Sequence, residues 1–309
     1  MKKFFAFIVS PKRNQFVYLI VLAYLGLLSG YLLWHRMWFS PDHFFLAGIV
    51  AAMFLGGTLQ FLKDWVPFIL LFLGYESMRG LAPILNSNVH IYELINADKW
   101  LFGYIPTIRL QEILYRPGSP QWYDFLAILF YTLHFVVPFT SAFFFWLVNK
   151  KFFKEFTVAL IILSFAGFIT YVLYPAMPPW MASERGYIPH LVKVMDATVV
   201  YKGQSLALPT IYKLFRGNEV AAMPSLHAAY ALLVFLFFVR YYKKRGLLLL
   251  PYVLGVWFSV VYLGEHYVID VIFGALYAAL IFALVVNKEL IFSKLASLNP
   301  LSYRPKRLT

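Results

Sequence analysis

Along the chain, runs of about 20 apolar residues, long enough to cross a hydrocarbon core about 30 Å thick, alternate with polar gaps that hold nearly all the charge. Eight such runs stand out, near 16–34, 43–62, 65–85, 125–148, 156–174, 224–240, 247–263 and 266–286. They predict an all-α, polytopic transmembrane bundle of about eight helices, six of which form a core from 65 to 286. Residues 1–64 then carry two additional membrane helices, and 287–309 form a basic cytoplasmic tail.

Two long connections interrupt the pattern, at 86–124 and 175–223. The first contains an amphipathic run from Val89 to Leu101 that predicts a short interfacial helix. In the second, Tyr174-Pro175-Ala176-Met177-Pro178-Pro179-Trp180 cannot continue a helix and turns the chain along the surface. Connections of this length usually serve a function, and a lid or substrate platform over the helix ends is expected.

Composition agrees with a lipid solvent. Of 309 residues, 61% are hydrophobic and 13% charged, whereas soluble domains carry about 25% charge. The net charge of +13 raises the possibility of nucleic acid, but the basic residues are spread over alternate gaps and form no single stripe. They report topology instead. Lys2, Lys3, Lys12, Arg13, Lys63, Lys150, Lys151, Lys154, Arg240, Lys243, Lys244 and Arg245 fall on one side, which the positive-inside rule makes cytoplasmic. Both termini are placed there, and the opening Met1-Lys2-Lys3-Phe4 reads as an interfacial segment, since Lys12 and Arg13 interrupt the apolar run of a signal peptide. The chain has no cysteine, which removes disulfides and thiolate metal sites from consideration.

Chemistry concentrates at two helix mouths on the outer side. His266 and Asp270 are four apart, so on a helix they share a face and the carboxylate can orient the imidazole. Near the mouth of another helix, Pro224, Ser225 and His227 offer a first-turn proline, free N–H groups and a second imidazole to an anion such as phosphate. Two imidazoles flanking one phosphorus atom support a double displacement. His266 attacks, Asp270 stabilises the imidazolium, and His227 acts as acid and then base, with no metal or cofactor. The competing reading is a satisfied polar pair or a proton relay in a transporter. An Asp one turn inside a membrane helix costs up to about 3 kcal/mol on insertion scales, so it needs a partner, and His266 is the obvious one.

These residues resemble the phosphatidic acid phosphatase type 2 superfamily. Ala222-Met223-Pro224-Ser225-Leu226-His227 is similar to its P-S-G-H motif, and Ser259, His266 and Asp270 fit its S-R-x5-H-x3-D motif residue by residue. Leu226 replaces the motif glycine and Val260 the motif arginine that would hold a phosphate oxygen. Both departures, together with Tyr262-Leu263-Gly264-Glu265-His266-Tyr267-Val268-Ile269-Asp270, Tyr131-Thr132-Leu133-His134-Phe135 and Pro178-Pro179-Trp180, resemble the inositol phosphorylceramide synthase branch. Arg109 and Arg116-Pro117 imitate the first superfamily motif but lie one connection too early.

The resemblance implies a membrane phosphotransferase that moves an inositol-phosphate-like group from a phospholipid to a lipid alcohol at the outer face. A lipid phosphate or polyprenyl diphosphate phosphatase shares the first half of that mechanism. The expected partners are a phospholipid donor, a lipid or polar alcohol acceptor and the membrane, without nucleic acid. His266, Asp270 and His227 are the catalytic candidates. Ser225, His134, Phe135, Tyr75, Arg79, Arg185 and Arg216 are the substrate-binding candidates, the arginines because Val260 leaves a phosphate cation to be replaced. Glu76 and Arg79, three apart, also suit a structural ion pair.

Overall fold

The computed structural model describes residues 58–199 and 218–289, with residues 26, 27 and 30. The expected span at 16–34 lies almost wholly outside them, as do most of 43–62 and of the tail. Regular structure among the described residues is helical: α1 Thr58–Arg79, α2 Ala82–Leu85, α3 Tyr92–Phe102, α4 Pro106–Leu114, α5 Trp122–Val148, α6 Lys150–Leu173, α7 Pro179–Glu184, α8 Val194–Val199, α9 Leu226–Tyr242, α10 Leu250–Tyr262 and α11 Val268–Val286. Four helical stretches are long and apolar enough to cross a membrane: α5, α6, Leu226–Tyr262 and α11. The protein is an all-α polytopic helix bundle.

Local chemistry sets the element ends. Asn149 separates α5 from α6, its side-chain oxygen accepting from the N–H groups of Lys151 and Phe152 at 3.1 and 3.2 Å. This cap starts α6 at Lys150, ahead of the apolar run expected from 156. A 3-10 turn, Lys243–Leu249, joins α9 to α10. Gly246 permits it, because a Cβ there would lie 2.5 Å from the Val239 backbone. In the first connection, Gly103 ends α3 with a left-handed φ of 78°, and Pro106 opens α4. A short helix is thus present where one was expected over Val89 to Leu101, as α3, Tyr92–Phe102.

The bundle core is strongly aromatic. Phe145 is fully buried and contacts the rings of Phe152, Phe156, Phe237, Phe238 and Tyr241, which ties α5, α6 and α9 together at one end. Ion pairs of Glu155 with Arg240 and of Asp64 with Lys150 lie at that same end. Toward the other end, two glycines allow close approach. A Cβ on Gly274 of α11 would lie 2.3 Å from the Ser225 carbonyl oxygen, and one on Gly167 of α6 would lie 2.8 Å from Leu226 Cδ1. The mouths of α9 and α11 thus pack backbone to backbone.

Above these mouths the two long connections are laced together. His90 N–H donates to the Pro175 carbonyl at 2.8 Å and Met177 N–H to His90 at 3.0 Å. Ala176 N–H donates to Val220 at 2.8 Å and Ala222 N–H to Ala176 at 3.2 Å. Three distant stretches thereby run side by side across the end of the bundle. This lacing fixes Ala222, five residues before His227 in the chain.

Candidate active site

His266 does not belong to α11. Its N–H, like that of Glu265, donates to the Val260 carbonyl, at 3.0 and 3.1 Å, so it sits in a tight turn between α10 and α11. The helix begins two residues later than expected because carboxylates occupy its first turn. Asp270 Oδ2 accepts from Tyr267 N–H at 2.8 Å, while Asp98 of α3 accepts from Val268 and Ile269 N–H at 3.1 and 3.0 Å. Both aspartates are fully buried. Negative charge at a helix N-terminus is stabilised by free N–H groups and by the dipole, and here two acids share that role.

The imidazoles form one hydrogen-bonded chain. His266 Nδ1–H donates to the Ala222 carbonyl at 2.8 Å, with Asp270 Oδ2 at 3.5 Å behind it. His266 Nε2 then carries the lone pair and receives His227 Nδ1–H at 3.0 Å, and His227 Nε2 receives the Tyr131 hydroxyl at 3.2 Å. This protonation pattern is the one that satisfies every partner. It leaves a lone pair on Nε2 of His266 and an N–H of His227 beside it, both at the cavity. The orienting task expected of Asp270 alone is shared with a backbone carbonyl, which accepts the nearer hydrogen bond.

A cavity of about 270 Å³ opens onto this pair. Of the expected residues, it gathers His266, His227, His134, Phe135, Tyr75 and Arg79. His134 bonds through Nδ1 to the Tyr131 carbonyl, and its ring centroid lies 4.0 Å from that of His227 with the planes tilted by 60°. Glu76 and Arg79 form the i, i+3 ion pair at 3.3 Å and also face the cavity. Asp270 lies behind His266, outside the lining. Ser225 caps α9, its hydroxyl oxygen accepting from Ala228 N–H at 3.3 Å, and is fully buried beneath the cavity. Arg185 is exposed at the end of α7 and lines none of the cavity. Arg216 lies outside the described residues.

Sequence reasoning assigned no role to Asp98, Lys193 or Glu265. Asp98 was visible only as one acid in an amphipathic run, and Lys193 as one cation in a long connection. Glu265 stood beside His266 in an unassigned motif position. Glu265 and Lys193 both line the cavity, with 3.7 Å between Lys193 Nζ and Glu265 Oε1.

The family model described as PAP2 superfamily matches residues 93–284, more than half of the chain. The chain belongs to the PAP2 superfamily. The phosphoinositol dihydroceramide synthase of Bacteroides thetaiotaomicron is 25% identical over 279 residues, covering 86% of this chain and 89% of that protein. The inositol phosphorylceramide synthase of Candida albicans is 27% identical over 209 residues, 58% of this chain and 43% of the relative. The catalytic subunit of inositol phosphorylceramide synthase of Saccharomyces cerevisiae is 31% identical over 127 residues, 38% of this chain and 30% of the relative. No solved structure matches the chain. Membership of the PAP2 superfamily and these relatives make the protein a membrane enzyme acting on lipid phosphoesters.

Burial pushes the Asp98 carboxyl up from 3.8 to about 6, and neighbouring Asp270 adds to the rise, while the two N–H bonds oppose it. A carboxyl raised on folding holds its proton more tightly when folded. Its contribution is greatest below the unfolded value and is lost as pH rises through the folded one. Wild-type stability is therefore expected to fall between about pH 4 and pH 6, by up to about 3 kcal/mol from this group. Asp98→Asn should flatten that part of the profile, read as thermal midpoint against pH in detergent; parallel profiles would contradict the assignment.

Proposed function

We propose that the protein transfers a phosphoalcohol group of the inositol-phosphate type from a phospholipid to a ceramide-like lipid alcohol, through a phosphohistidine on His266. The observation that carries this reading is the 3.0 Å contact between His266 Nε2 and His227 Nδ1, with the far nitrogen of His266 held by Ala222 and Asp270. In the first step the His266 lone pair attacks phosphorus and the bond to the diacylglycerol oxygen breaks. His227 takes up a second proton from solvent as the anionic phosphate enters, gives it to the departing alkoxide and is left neutral, while Asp270 stabilises the imidazolium form of the phosphorylated ring. In the second step His227 accepts the proton of the acceptor hydroxyl, whose oxygen attacks phosphorus and releases His266. The two imidazoles touch in the resting site, so the phosphate must separate them on entry.

The direction toward synthesis is supported by the names of the relatives, synthases of phosphoinositol dihydroceramide or of inositol phosphorylceramide, and by the departures Leu226 and Val260. Both are built into the packing. Leu226 fills the notch at Gly167, and Val260 is fully buried in the core, with its carbonyl holding the turn to His266. Water attacking the same intermediate would give a phosphatase. Purified protein given labelled phosphatidylinositol and ceramide should form a labelled ceramide phosphoinositol, and His266→Ala or Asp270→Asn should reduce turnover by at least about a hundredfold. Release of free inositol phosphate with ceramide ignored would replace transfer by hydrolysis, and near-normal rates in the variants would remove these residues from the chemistry.

We also place the site at the outer face, with the ion-paired end carrying Lys150, Lys151, Arg240 and Lys243–Arg245 in the cytoplasm. The positive-inside bias supports this orientation. Glu184 is exposed on the site's side of the bundle, and the chain has no native cysteine. Glu184→Cys should react with a membrane-impermeant thiol reagent in intact cells; labelling only after permeabilisation would invert the topology.

A further inference from the structure

Val260 leaves the site without the cation that the superfamily motif would supply. Among the described residues, two cations line the cavity, Arg79 and Lys193. Arg79 comes from the end of α1 and pairs with Glu76. Lys193 comes from the second long connection, and its backbone is unusually well fixed for a loop. Gln111 of α4 grips Val192 on both sides, donating to its carbonyl at 2.8 Å and accepting from its N–H at 2.8 Å, and donates to the Tyr262 carbonyl at 2.9 Å. On the other side, Val194 N–H donates to the Leu263 carbonyl at 3.3 Å. Lys193 is thus pinned from both neighbours to the end of α10, at the turn that carries His266. Gly264 makes this approach possible: its φ is +87°, and a Cβ there would lie 3.1 Å from Leu191 and 3.2 Å from the Val192 carbonyl.

The ammonium is held without being consumed. It lies 3.7 Å from Glu265 and 3.7 Å from Asp196, both longer than a hydrogen bond, and 4.7 Å from the centroid of the Trp180 ring. Glu265 Oε1 is buried with no hydrogen-bond partner among the described residues. A pair at this separation accommodates an anion on the lysine and a hydroxyl on the carboxylate.

We propose that Lys193 is a substrate-binding cation that, with Arg79, holds the phosphate oxygens of the donor in place of the motif arginine lost at Val260, while Glu265 accepts a hydroxyl of the alcohol head group. The inference rests on the reading of this cavity as the lipid phosphoester site. A cation on a pinned loop segment restores the charge complement that the helix position no longer provides. Burial pushes the Glu265 carboxyl up and Lys193 opposes the rise, so the two sense each other across the gap.

Binding of inorganic orthovanadate to the full chain in detergent micelles tests this apart from any choice of donor lipid. Wild type should bind, Lys193→Met should bind at least about tenfold more weakly, and Lys193→Arg should stay within about threefold of wild type, with unchanged thermal midpoints. If wild type does not bind, the site reading fails, and this inference with it. If wild type and Lys193→Met bind alike, Lys193 alone is overturned. If Lys193→Met and the stem-preserving Lys193→Gln both fail to fold, or Lys193→Arg is as weak as Lys193→Met, the residue is structural and the proposal is wrong.

Discussion

The first turn of α11 is the constraint on which the rest of the site depends. Three successive N–H groups, of Tyr267, Val268 and Ile269, are taken by two buried carboxylates, one from the same helix and one from α3. Free N–H groups at a buried helix start are unfavourable, and a buried carboxylate without donors is worse, so the pairing relieves both, with Asp270 Oδ1 left without a hydrogen-bond partner among the described residues. The consequence for chemistry is positional. His266 immediately precedes this locked turn, and the Val260 carbonyl holds it from the α10 side. An imidazole fixed from both directions can keep one nitrogen on Ala222 and aim the other at a phosphorus atom.

The long connections complete this arrangement. The lacing of His90, Ala176 and Ala222 places the carbonyl that fixes the His266 tautomer, and the grip of Gln111 on Val192 holds Lys193 beside the same turn. These backbone contacts hold the described parts of both connections against the helix ends. Close helix packing through Gly274 and Gly167 brings the α9 mouth into register with the α11 mouth, so that two imidazoles 39 residues apart in sequence come within hydrogen-bonding distance.

Much of this was legible from residues alone, for a physical reason. A membrane span announces itself by length and hydropathy, so α5, α9, α10 and α11 begin within three residues of their runs, while α6 starts six residues early at its Asn149 cap, and charge in such a chain is rare enough to notice. The His227, His266 and Asp270 constellation followed from that rarity. Asp98 was not found because its role depends on α3 folding back onto α11, a contact between segments 170 residues apart that no local pattern encodes. Ser225 looked like a phosphate ligand because a helix mouth attracts both caps and anions. Its hydroxyl is used as the cap, and Gly274 packs against its backbone. The helix start at Val268 instead of His266 has the same origin: capping chemistry, not the apolar run, decides where a helix begins.

The central claim is that the His266 ring nitrogen forms a covalent bond to the transferred phosphorus. Donor lipid labelled in its head group, mixed with purified enzyme without acceptor and quenched in base, should leave an acid-labile, base-stable adduct. Peptide mass spectrometry should place it on His266, absent in His266→Ala and discharged when acceptor is added before the quench. An adduct on His227, or full turnover with no adduct on any histidine at times shorter than one catalytic cycle, would contradict the account.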